Sequence, residues 1–78
     1  MHWNYRVVRK SYNTNDGETH QMFGIHEVYY DDFGEVKYIT TKPLDAYGDT
    51  PEELQEDLKE MLKAFDKPIL EFNKDKSV

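Results

Sequence analysis

His26-Glu27 is the first place in this chain to look for chemistry. The pair opens like the His-Glu-x-x-His signature of zinc proteases, whose two histidines hold one metal from one helix face. Tyr30 stands where the second histidine would be. The surrounding run also reads as a strand, and neighbouring strand residues point to opposite faces. The other histidines are His2 and His20. His20 and His26 share strand parity but lie roughly 20 Å apart at about 3.3 Å per residue. They cannot share an ion within one copy, so we expect no metal and no cofactor.

Carboxylates are the next candidates. Asp16, Glu18, Asp31, Asp32 and Glu35 fall in turn segments, where aspartate serves turn geometry and solubility. No concave site follows from them, and we expect a non-enzymatic protein. The alternative is an enzyme or small-ligand binder with a site between protomers near His26, Glu27 and Tyr29, because a small domain gains concavity when two copies meet. Arg6, Arg9 and Lys10 lie among Tyr5, Tyr12 and Tyr29, the residue types of a stacking surface for single-stranded nucleic acid. Strand parity splits these basic groups between faces, so no nucleic-acid partner is expected. Glu52, Glu53, Glu56, Asp57 and Glu60 form the remaining cluster, an acidic helix face suited to a basic protein partner.

Charge supports that ranking. The net charge is −6, and residues 31–60 alone carry ten acidic against three basic groups. Such a field disfavours non-specific binding to nucleic acid or anionic lipid. A chain of 78 residues makes one domain, near the lower limit for a self-sufficient core. It has no cysteine, which excludes disulfides and thiolate metal sites. There is no apolar run of the roughly 20 residues that span a bilayer, and no secretory leader is recognisable at the start. These features lead us to expect a cytoplasmic protein without a membrane partner.

The elements that position these groups read clearly. Trp3–Tyr12 and Gln21–Asp31 are strand-like, joined by the turn cluster Asn13–Glu18, whose Asp16-Gly17 pair is a strong hairpin signal. Trp3, Tyr5 and Val7 alternate with Arg6, Val8 and Lys10. Phe23, Ile25, Glu27 and Tyr29 alternate with Met22, Gly24, His26, Val28 and Tyr30. A second turn at Asp31-Asp32-Phe33-Gly34 leads to a third strand, Glu35–Thr41. Thr50-Pro51-Glu52-Glu53 then starts a helix. Thr50 caps it, Glu53 completes a capping box, Pro51 sits where its missing N–H costs nothing, and the acids face the positive dipole end. Leu54, Leu58, Met61, Leu62 and Phe65 form one apolar stripe, expected to lie on the sheet. Pro68 stops the helix. Ile69–Phe72 has the composition of a short fourth strand, and 73–78 that of a disordered polar tail.

The reading is an α+β domain over residues 1–72. It has two layers: a three-stranded antiparallel meander with one helix packed across it. With a large aromatic content in so small a chain, we expect a homodimer through a sheet face or edge.

The order of three strands, Gly48-x-Thr50-x-Glu52-Glu53-Leu54, amphipathic helix and short strand resembles the N-terminal domain of HicB-type antitoxins. That resemblance implies a partial ribonuclease-H-like fold and a toxin-neutralising interaction. Lys42–Gly48 departs from the Asp-x-Pro-Gly-Cys-like segment of that family. No room for a DNA-binding domain follows residue 72, so operator binding is not carried over. Trp3–Val7, Ile25–Asp31, Leu58–Ala64 and Lys67-Pro68 together resemble a group of small bacterial proteins, a likeness that implies no particular activity.

Overall fold

Short polar turns fold the first third of the chain back on itself. The computed structural model describes residues 2–78. Strand β1, His2–Asn13, pairs antiparallel with β2, Thr19–Tyr30, in unbroken register from His2 opposite Tyr30 to Asn13 opposite Thr19. Gly17 and Gly34 take φ of 84° and 81°, the left-handed geometry that their turns require. Asp31 accepts from the backbone N–H groups of Phe33 and Glu35, tying the second turn. Strand β3, Val36–Ile39, pairs antiparallel with β2 across a register shift at Tyr29 and Tyr30.

Helix α1, Pro51–Leu62, continues as a 3-10 turn over Lys63–Asp66. A strand that follows a helix starts again from the opposite end of the sheet. Strand β4, Leu70–Glu71, accordingly runs parallel to β1, with Val8 beside Leu70. The sheet order is β3-β2-β1-β4. The expected α+β class and single helix therefore hold, and the fourth strand is present. The sheet is mixed and four-stranded rather than a purely antiparallel three-stranded meander, because α1 returns the chain before β4 forms.

The two faces of the sheet are covered unequally. Val8, Val28, Tyr30 and Ile39 form the buried cluster, with Val36, Leu70 and Phe72 packed against it. This is the face away from the helix. Beyond Phe72 the chain makes a 3-10 turn at Lys74–Lys76, and Ser77 comes beside Ile39. Val78 N–H donates to the Ile39 carbonyl at 2.9 Å, and Thr41 N–H to the Val78 carbonyl at 2.8 Å. The segment after β4 thus passes from the β4 edge to the β3 edge of the curled sheet, across its core. On the helix face the well-buried apolar residues are Val7, Met61 and Ala64.

Candidate interaction surface

The helix start is built as its sequence suggests, with one change. Thr50 Oγ1 accepts from the Glu53 N–H at 3.1 Å. Glu53 reaches back to the N–H of Asp49 at 2.9 Å, one residue before the cap rather than the cap itself. Gly48 is fixed by sterics. A Cβ there would stand 2.3 Å from the Leu54 nitrogen, so only glycine lets this backbone rest on the first helical turn.

The roll of the helix decides what the surface offers. Asp57, Met61 and Ala64 turn toward the sheet. At about 100° per residue, Leu54, Leu58, Leu62 and Phe65 lie about a quarter turn away. Leu58 is 47% exposed, Leu62 61% and Phe65 65%, while Met61 is 6% exposed. The stripe was expected to lie on the sheet; the structure buries its flank and leaves most of it in water. The physical reason lies in the sheet. Trp3 and Tyr5 are bulky, and Val7 opposite Ile25 offers a narrow apolar seat that Met61 and Ala64 suffice to fill. Ile69 and Phe23, both exposed, fall on this face by strand alternation, because their neighbours Leu70 and Gly24 stand beside Val8 on the other.

The acidic residues occupy the flank of the helix opposite the leucines, with Asp57 at its sheet-facing edge. Asp57 accepts from the Tyr47 N–H at 2.8 Å, Glu56 pairs with Lys59 at 3.2 Å and Glu60 with Lys63 at 3.0 Å. With Glu53 bound to Asp49, four of the five carboxylates are engaged within the chain, and Glu52 has no such contact among the described residues. Burial and the charges of Asp57, Glu27 and Glu60 raise the pKa of the Tyr5 hydroxyl.

The other candidates are dispersed. His26 is 1% exposed inside the curled face, and its Nδ1 lies 2.8 Å from the Thr40 carbonyl, which makes Nδ1 the protonated nitrogen. Burial pushes its pKa down, the Thr40 carbonyl opposes this, and Lys10 adds to it. Glu27 and Tyr29 lie on the opposite face, where the Tyr29 hydroxyl donates to Glu27 at 2.6 Å and its pKa rises chiefly for that reason. The structure therefore does not bring His26 together with Glu27 and Tyr29 within one copy. Tyr12 stacks on His20 far out on the hairpin, and His2 stacks on Tyr30. No group of three or more metal-ligating side chains occurs among the described residues. Arg9 pairs with Glu71, and Lys10 bonds the Thr41 carbonyl and lies over the Phe72 ring.

Arg6, expected only as one of the basic groups split between faces, turns out to be buried. Arg6 is 8% exposed; it donates to the Tyr30 hydroxyl at 2.9 Å and to the Pro68 carbonyl at 2.6 Å. Its strand parity with Val8, on what became the core face, was the available signal. Among the described residues no helix is long and apolar enough to cross a membrane. Comparison of the chain with protein-family models, curated proteins and solved structures gives no match.

Proposed function

We propose that this chain is a non-enzymatic protein-interaction module that docks through the solvent side of α1, and that the occupant is a second copy of itself. The observation that carries the reading is the exposure of Leu58, Leu62 and Phe65 beside the buried Met61. Contiguous apolar surface of this kind marks association sites. The area points the same way. A monomer of 9.3 kDa is expected to expose about 5,000 Å², and this one exposes 5966 Å². The excess, roughly 1,000 Å², is close to the ~800 Å² that each partner hides in a standard interface. The radius of gyration is 14.1 Å, against about 11.5 Å for a compact chain of this length. A cytoplasmic setting belongs to the same reading, since a chain without cysteine makes no use of an oxidising compartment.

A second docking face is favoured by one observation. Glu52 remains uncommitted on the acidic side of α1, which leaves that side available to a basic protein while the apolar side holds the second copy. This matches the element order that resembles a toxin-neutralising domain. Light scattering across the micromolar range tests the dimer: twice 9.3 kDa is expected. A clean monomer at high micromolar concentration would sink it. Capture of a basic partner that survives Leu62→Asp but not Glu52→Lys would support the acidic face.

A further inference from the structure

Arg6 is a buried cation that no carboxylate among the described residues balances. Its guanidinium stays charged under all ordinary conditions. It forms no ion pair among the described residues, and it spends two donors on the neutral Tyr30 hydroxyl and the Pro68 carbonyl. Its Nε is buried with no hydrogen-bond partner among the described residues. Removing such a charge from water without an anion is costly.

Arg6 lines a cleft of 330 Å³ with His2, Asn4, Tyr30, Gly34 and Lys67. The described lining around Arg6 adds one further cation, Lys67. That lining holds no carboxylate, although the chain has 16 acidic against 10 basic residues. Lys67 makes no ion pair among the described residues. Asn4 accepts from the Tyr30 hydroxyl through Oδ1 at 2.8 Å, which leaves its amide N–H groups as donors. His2 is held by its stack on Tyr30, with ring centroids 5.2 Å apart. Arg6, Lys67 and the Asn4 amide are donors here, and the Tyr30 hydroxyl is engaged by Arg6 and Asn4.

We propose that this cleft binds a small oxyanion, a phosphate or carboxylate group of a soluble molecule, with Arg6 and Lys67 supplying the charge and Asn4 and His2 further donors. The fork of Arg6 fits either oxyanion, and the cleft lies at the small end of ligand-site volumes. The site is separate from the solvent side of α1, so it stands or falls independently of the dimer.

An amide NMR titration of the full chain tests it, with sodium phosphate and sodium acetate as separate probes and sodium chloride at matched ionic strength as control. Saturating shifts centred on His2, Asn4, Arg6 and Lys67 are expected for at least one oxyanion, and the more effective probe identifies the headgroup. Lys67→Gln, an exposed change that spares the fold, should weaken binding about tenfold. Arg6→Lys, checked by thermal melting for folding, should weaken it further by losing the fork. Identical shifts with chloride, shifts that never saturate, or unchanged binding by Lys67→Gln would overturn the proposal.

Discussion

Met61 is buried against the sheet, while Leu62, the next residue along the same helix, stands 61% exposed. The two belong to one apolar stripe in the sequence and to different environments in the fold. Adjacent helical residues are separated by about 100° around the axis, so a modest roll places one inside and the other out.

That separation makes the dimer testable without unfolding the monomer. Leu58→Asp with Leu62→Asp should abolish association in light scattering. Each change should alter monomer stability, measured by urea unfolding in dilute solution, by no more than about 0.5 kcal/mol, as for exposed positions generally. Met61→Ala should cost about 2–5 kcal/mol, because it empties a packed site.

Gly48 should resist substitution for steric reasons alone. A Cβ there meets the Leu54 and Glu53 backbone. Gly48→Ala should therefore destabilise by roughly 1–3 kcal/mol. Thr50→Ala should cost about 1 kcal/mol through loss of the cap. Urea midpoints at constant slope would check both, and a neutral Gly48→Ala would contradict the close approach.

Tyr30 links Arg6 to Asn4, accepting from one and donating to the other. Tyr30→Phe keeps the ring and removes the hydroxyl, leaving polar groups unpaired on both sides. A loss of about 1–3 kcal/mol is expected from denaturant unfolding.

His26 should make stability depend on pH. Its folded pKa lies below the ordinary value of 6.5, chiefly through burial. The unfolded chain therefore binds the proton more readily, and stability rises with pH through this window. The contribution is complete above about pH 6.5 and is lost as pH falls toward the folded pKa. Unfolding free energies at pH 5 and pH 7.5 should differ in that direction. A neutral replacement, His26→Gln, should flatten the slope between them, and an unchanged slope would exclude His26 as its source.

Much of the local structure is legible in the residues. Asp16-Gly17 and Asp31–Gly34 announce the turns, strand alternation sorts Val8, His26 and Val28 from Tyr5, Val7 and Ile25, and Thr50-Pro51 marks the helix start. Arg6 was less legible, because parity assigns it a face and nothing in the sequence says which face will be enclosed.

The sequence by itself determined the hairpin turns, the alternation of their strands and the start of α1, since turn chemistry, period-two alternation and capping act over a few residues. Only the tertiary structure decided the parallel direction of β4, the return of the chain after Phe72 across one face, and the roll of α1 over the other. Those depend on how bulky side chains distant in sequence share space, which local pattern does not encode. The consequence is an unexpected division of labour. The core lies away from the helix, around Val8 and Val28, and the helix keeps its leucines for water or for a partner.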